Sequence, residues 1–184
     1  MIFLILVLEY TPSVIEPSFG IGRILYALLE HSYKVRPASG DAEKKVESKD
    51  ASQIRAYFSF PASVAPTKAL VLPLSNSPSF TPLVKSVVAA LRRHNLSNKV
   101  DASSGSIGRR YARNDELGTS FAITVDFTSL EDGTVTLRER DSCRQIRASV
   151  DVVVGLVDKI VRGAKSWADV EKEFAIIESA DDKE

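Results

Sequence analysis

Ala69-Leu70-Val71-Leu72-Pro73-Leu74 is an apolar run too short for a helix and long enough for a strand buried on both faces. The polar stretch Ser75-Asn76-Ser77-Pro78-Ser79 turns the chain. Between Phe80 and His94, apolar residues then recur at Leu83, Val84, Val87, Val88 and Leu91, the spacing of one helical face. Leu96 to Val100 is the next strand expected. Strands interleaved with helices predict an α/β fold, with a mixed, mostly parallel sheet and helices packed on its faces.

Downstream the alternation continues. Ser106 to Leu117 is expected to be a helix, its start punctuated by Gly105 and Gly108, and Phe121-Ala122-Ile123-Thr124-Val125-Asp126-Phe127 is a strand. Asp132-Gly133 is a hairpin signal that joins this strand to Thr134-Val135-Thr136-Leu137-Arg138. Val150 to Val161 reads as a second long amphipathic helix, and Trp167 to Glu171 as a short one that docks the only tryptophan. Asp181-Asp182-Lys183-Glu184 is expected to be a solvated tail.

Upstream, Tyr57 to Pro61 and Val64-Ala65-Pro66 read as an extended connector. Residues 37–55 are rich in Lys, Glu, Asp, Ser and Ala and predict a mobile polar insert. Before it, Ser13-Val14-Ile15 suits a short buried strand, and Ile24, Leu25, Leu28 and Leu29 suit one face of a helix. Glu16-Pro17-Ser18-Phe19-Gly20-Ile21-Gly22-Arg23 lies at that junction. Glycines there let a ligand approach the backbone, helix-start N–H groups favour anions, and Arg23 adds a forked, permanent cation for phosphate. Glu16 can accept from an ammonium. The plainer alternative is a capped helix with Glu16 and Arg23 in a local ion pair.

Lys and Arg together number 24, as do Asp and Glu, so no overall field draws nucleic acid and any RNA affinity must come from local patches. Cys143 is the only cysteine, which excludes an internal disulfide or a cysteine-built zinc cluster and suits a reducing compartment. Its expected role is a small packing residue. His31 and His94 alone do not suggest a metal centre, and no metal site is expected in this chain. The opening Met1 to Leu8 is apolar but far short of the ~20 residues that span a bilayer, lacks a basic start, and reads as an extra or buried strand, the alternative being a stretch that is not native coding sequence.

A basic cluster falls on the helix after Gly105. Arg109, Arg110 and Arg113, with Lys99 before them and Arg92 and Arg93 expected to adjoin, interleave with Tyr111 and Asn114. Cations beside an aromatic ring and an amide are the means of stacking and hydrogen-bonding unpaired RNA bases. The competing reading is a solvated helix face paired with Asp115 and Glu116. Arg138, Arg140, Arg144 and Arg147 alternate with acids and read as an ion network with some phosphate contact.

Pro12 to Arg23 closely resembles the last of the three signature motifs of class II aminoacyl-tRNA synthetases, in the form of the eukaryotic and archaeal-type glycyl-tRNA synthetases. Leu72-Pro73-Leu74-Ser75, Lys99-Val100-Asp101 and Ser103-Ser104-Gly105-Ser106-Ile107-Gly108-Arg109-Arg110-Tyr111-Ala112-Arg113-Asn114-Asp115-Glu116-Leu117-Gly118 resemble successive parts of that family's anticodon-binding domain. Thr136 to Ser142 and Gln145-Ile146-Arg147 continue the match in order.

This resemblance implies the end of a catalytic core over 1–36, the insert over 37–55, a connector over 56–67, an anticodon-binding domain over 68–164, and a C-terminal extension and tail over 165–184. It implies that Glu16, Pro17 and Ser18 bind glycine, that Gly20, Gly22 and Arg23 bind ATP, and that Lys99, Arg109, Arg110, Tyr111, Arg113 and Asn114 bind tRNA. Glycine, ATP and glycine tRNA are the implied partners, Mg2+ would accompany ATP, the complete enzyme would be a homodimer, and no membrane is involved. The cytoplasm is the implied compartment, with a mitochondrial form alongside. The other two class II motifs are absent from these 184 residues, so the chain alone is expected to be inactive. The alternative is a non-catalytic, synthetase-like accessory protein that binds nucleic acid.

Overall fold

The computed structural model describes residues 9–36 and 55–177. The apolar start, the polar insert apart from Arg55, and the charged tail lie outside the described residues.

Five strands make one sheet. β3 (Ala69–Pro73), β4 (Asn98–Val100) and β5 (Phe121–Val125) run parallel with β3 in the middle, and β6 (Thr134–Glu139) and β7 (Gln145–Ser149) extend the sheet antiparallel beyond β5. The sheet is mixed as expected, and its parallel pairings stop at the first three strands. The strand period of two sorts the residues of β3 between two layers. Ala69 and Val71 face Val87 and Leu91 of α2 (Thr81–Arg93) and Val153 and Val157 of α5 (Val150–Val161), whereas Leu70 and Leu72 face Tyr111 of α3 (Ile107–Glu116). All five residues of β3 are buried. That is why this strand reads as a continuous apolar run.

The Asp132-Gly133 signal does not close a two-residue hairpin. Asp126 and Ser129 form a capping box: the Ser129 N–H donates to Asp126 Oδ1 at 2.9 Å and the Asp126 N–H donates to Ser129 Oγ at 3.0 Å. They start a short helix, α4 (Phe127–Asp132), and Gly133, at φ 72°, ends it with its N–H donating to Ser129 O at 3.1 Å. Both a tight hairpin and a helix C-terminus ask for a residue with positive φ, so the glycine alone did not distinguish them. β5 and β6 still pair antiparallel. Helix α6 (Trp167–Glu173) starts at a Ser166–Asp169 capping box, buries Val170 in the main core, and sets the Trp167 ring 6.3 Å from that of Phe121.

The first part of the chain is a helix and a ribbon. α1 (Ile21–Ser32) forms where its spacing predicts, and β1 (Tyr33–Arg36) pairs antiparallel with β2 (Arg55–Phe58). Ser13-Val14-Ile15 is not a strand. A strand needs an open edge to pair with, none of the described residues pairs with this segment, and Ile15 is 95% exposed. The apolar face of α1 likewise remains open, with Ile24 and Leu25 more than half exposed. Among the described residues no helix is long and apolar enough to cross a membrane.

α3 contains only Ile107, Tyr111 and Ala112 as apolar side chains, so its apolar contact with Leu70, Leu72 and Ala122 is small. Polar anchors add to it. The buried Arg110 guanidinium donates to Pro73 O at 2.7 Å, Leu74 O at 3.1 Å and Asp101 O at 3.2 Å. Asn114 donates to Asp101 Oδ2 at 3.0 Å, and the Tyr111 hydroxyl lies 2.6 Å from Thr124 Oγ1. Asp115 accepts both terminal nitrogens of Arg138 at 3.2 and 3.1 Å and Nη2 of Arg36 at 3.0 Å. Burial pushes the Asp115 carboxyl up from the ordinary carboxylate range, against the pull of Arg138 and Arg36. Gly118 ends the helix at φ 76°, and any Cβ there would lie 2.3 Å from the Phe60 ring. Arg140 ties this corner together by donating to Gly118 O at 3.0 Å and Phe60 O at 2.9 Å.

Removing one partner of a buried pair strands the other charge. D115A is therefore expected to destabilise the protein by about 3–5 kcal/mol in urea denaturation, and D115A/R138M to recover much of that loss. Asp126 gives a pH test. Burial raises its carboxyl pKa, but hydrogen bonds from Arg147 and Ser129 outweigh that and hold it below the ordinary range. A depressed folded pKa adds stability above the unfolded value and loses it as pH falls through the folded one. Wild type should exceed D126N by about 1 kcal/mol at pH 7, with the gap in unfolding free energy closing below about pH 4.

Candidate nucleic-acid interface and the Glu16 to Arg23 segment

Because β3, β4 and β5 are parallel, their carboxyl ends share one edge of the sheet. The chain passes from β3 through α2 to β4 on one side, then through α3 on the opposite face to β5 on the other side of β3. Strand order thus reverses between β3 and β5, and in open α/β sheets the carboxyl ends at such a reversal are where ligands are commonly received. Leu74 and Phe127, 38% and 59% exposed, follow these two strands. The Phe127 ring rests on Phe80 at 5.2 Å. Read as the end of a strand, Phe127 was not singled out from the sequence. The signal that could have found it is Asp126-x-x-Ser129, a helix start that stops the strand and turns the next residue outward.

The structure brings together part of the expected basic cluster. Arg109 and Arg113 lie one helical turn apart on α3 and are both exposed, with 49% of the Arg113 side chain open to solvent. The register pairs Leu70 with Lys99 and Val71 with Val100, so exposed Lys99 lies on the α3 face of the sheet. Arg92 and Arg93 do not adjoin them. They end α2, on the opposite face.

Arg110, Tyr111 and Asn114 are corrected from RNA contacts to interior supports. They are 3%, 8% and 1% exposed, and the anchoring bonds to strand and loop occupy them from within. The helical period carries the reason: with 109 and 113 outward, 110, 111 and 114 fall on the sheet side. The Tyr111 ring also has the Arg138 guanidinium over its face at 4.5 Å. Arg138, Arg140, Arg144 and Arg147 form the expected ion network, paired with Asp115, Asp141, Glu171 and Asp126 respectively. Cys143 packs beside charge rather than in an apolar core: its thiol contacts Arg36 Nη1 and lies 3.2 Å from Arg138 Nη2.

The Glu16 to Arg23 segment is open along its length. Glu16, Pro17 and Ser18 precede α1, Gly20 is its N-cap residue without a side-chain cap, and Gly22 and Arg23 lie in its first turn. Gly20 has φ −76°, a value open to other residues, and a Cβ there would meet only the Arg23 side chain at 3.8 Å. At Gly22 nothing lies within 4 Å. The glycines therefore leave space above the helix start rather than supplying an unusual backbone angle. The expected alternative, an ion pair of Glu16 with Arg23, does not form, and neither side chain has an ion-pair partner among the described residues. An open acid and an open arginine at a helix N-terminus can receive an ammonium and a phosphate. Among the described residues no group of three or more His, Cys, Asp or Glu side chains could hold a metal ion.

Residues 68–160 match the family model described as an anticodon binding domain. The chain is 50% identical over 170 residues to a putative glycine–tRNA ligase of Schizosaccharomyces pombe, covering 92% of this chain and 24% of that protein. It is 46% identical over 171 residues to a glycine–tRNA ligase of Drosophila melanogaster, covering 92% of this chain and 21% of that one. It thus spans about a quarter of the length of the curated relatives it matches. In three dimensions it resembles the prolyl-tRNA synthetase of Cryptosporidium parvum, complexed with L-proline and AMP, at a TM-score of 0.52 and 16% identity, over 58% of this chain and 24% of that one. A five-stranded mixed sheet with α3 pinned to one face, and the match across residues 68–160, place this chain in the anticodon-binding domain family, in the form carried by glycine–tRNA ligases.

Proposed function

We propose that this chain is the part of a glycine–tRNA ligase that holds the anticodon region of glycine tRNA and carries the last catalytic motif. The observation that carries the reading is continuity: identity at 50% runs across 92% of the chain, through both the Glu16 to Arg23 segment and α3. Division into the end of a catalytic core, a connector and an anticodon-binding domain over 68–164 follows the same reading.

In that reading, RNA is held on the α3 side of the sheet by Lys99, Arg109 and Arg113, the cations of the cluster that remain exposed. Glu16 accepts the glycine ammonium, a charge-assisted contact, and Ser18 holds the substrate beside it with Pro17 fixing the turn between them. Glycine offers no side chain to grip, so selectivity comes from its polar ends and from exclusion of larger amino acids. Arg23 at the start of α1 faces the phosphates of ATP, with Gly20 and Gly22 leaving room for them. A carboxylate oxygen of glycine attacks the α-phosphorus, the bond to pyrophosphate breaks, and glycyl adenylate forms. A ribose hydroxyl at the tRNA end then attacks the glycyl carbonyl and AMP leaves. Arg23 contributes position and charge neutralisation rather than proton transfer. Mg2+ would enter with the phosphates of ATP, the complete enzyme would act as a homodimer, and the cytoplasm, with a mitochondrial counterpart, is its place of work.

Three exposed cations predict that the logarithm of affinity for glycine tRNA falls with the logarithm of salt concentration at a slope of about −2 to −3. R109E/R113E should weaken binding at least about ten-fold at ~0.1 M salt in fluorescence anisotropy. Unchanged affinity in that variant would remove the assignment. The purified chain is expected to give no glycine-dependent ATP–pyrophosphate exchange, because Glu16 to Arg23 forms one open wall of a site; measurable exchange would show that it needs no others.

A further inference from the structure

A carboxylate at an RNA surface ordinarily weakens binding, yet Asp101 lies in the middle of the basic cluster. It follows β4 directly and is 6% exposed. Its main chain is fixed at both ends, the N–H donating to Val71 O at 3.0 Å and the carbonyl accepting from Arg110 at 3.2 Å. The side chain is fixed as well. Oδ1 accepts the Ser103 N–H at 3.1 Å and the Ser103 hydroxyl at 2.7 Å, while Oδ2 accepts Asn114 Nδ2 at 3.0 Å and Arg113 Nη2. Burial alone would raise the Asp101 pKa, but the bonds from Ser103, Arg113 and Asn114 outweigh it and hold the carboxyl well below the ordinary range, so it stays ionised.

The half-exposed Arg113 is gripped through a single nitrogen. Nη2 meets both Asp101 Oδ2 and Ser103 Oγ, the latter at 2.6 Å, and these are its contacts among the described residues. Nη1 and Nε are left for a ligand. An arginine side chain loses several rotatable bonds of freedom when it binds phosphate, and one already held in place loses less.

We propose that Asp101 is a positioning residue for RNA binding: it holds Arg113 with one edge of the guanidinium tethered and the rest presented to a tRNA phosphate. The inference rests on the proposed tRNA-binding role. It runs against net charge, since D101N makes the protein more positive and a field argument alone predicts tighter binding.

The test measures glycine tRNA affinity as a function of salt for wild type, D101N, R113A and D101N/R113A, with thermal unfolding as a check on folding. D101N should weaken binding about three- to ten-fold at ~0.1 M salt and flatten the salt slope by about 0.7–0.9, the share of one phosphate contact. The double variant should bind no more weakly than R113A, since both changes remove one contact. S103A removes a surface wall of the same cradle and carries the test should D101N unfold; weaker binding with a flatter slope supports the inference, and wild-type values overturn it. Tighter or unchanged binding by folded D101N, or losses that add in the double variant, overturn it while leaving the proposed function standing. Absence of tRNA binding by wild type overturns both.

Discussion

The Asp115 carboxylate accepts from Arg138 of β6 and from Arg36 of β1, and so joins α3, the sheet and the ribbon at one point. Neither side of this contact has an easy alternative. Arg138 and Asp115 are each about nine-tenths buried, where an unpaired charge would cost several kcal/mol, so the groups stay together or the region opens. Arg36 adds a second constraint by stacking on Tyr57 at 4.4 Å and donating to Arg140 O at 2.6 Å. The ribbon is therefore held by this polar contact together with the Phe58–Phe60 ring stack that packs beside Gly118.

Charge serves two ends in α3, separated by the helical period. Arg110, Asn114 and Asp115 face inward, where backbone carbonyls, the Asp101 carboxylate and the Arg138 guanidinium bond to them and fix the helix to the sheet, while Arg110 Nε and Asn114 Oδ1 have no partner among the described residues. Arg109 and Arg113 face outward, and a helix anchored this way cannot roll without breaking buried hydrogen bonds. Rigidity at the base is what lets the outer cations act as a fixed pattern. The same anchoring secures the carboxyl ends of β3 and β4, where one side chain, Arg110, ties Pro73 O, Leu74 O and Asp101 O.

The α/β class, the buried strand at Ala69, the boundaries of α5, and the helices at Ile21, Thr81 and Ile107 are legible in the residues because periodicity and caps are local. Ser13-Val14-Ile15 and Asp132-Gly133 were misread for one reason. Each carries a local signal compatible with two structures, and the choice falls to pairing partners or to a cap three residues away. For the proposed site, residue types marked the α3 stretch, whereas which of its side chains stay exposed did not follow. A run such as Arg109-Arg110-Tyr111 looks uniformly suited to RNA until the sheet takes one side of it.

The sequence by itself determined which segments become strands and helices, since hydrophobic spacing, turn residues and caps act over a few positions. It also carried the family resemblance, through ordered motifs from Pro12 to Arg147. Only the tertiary structure decided which charges are buried and which face solvent, that Arg92 and Arg93 are separated from Arg109 by the sheet, and that Asp101 reaches Arg113. Those outcomes depend on which face of each element packs against the sheet, and low-dielectric burial then favours the arrangement in which enclosed charges such as Asp101, Asp115 and Arg138 meet a partner.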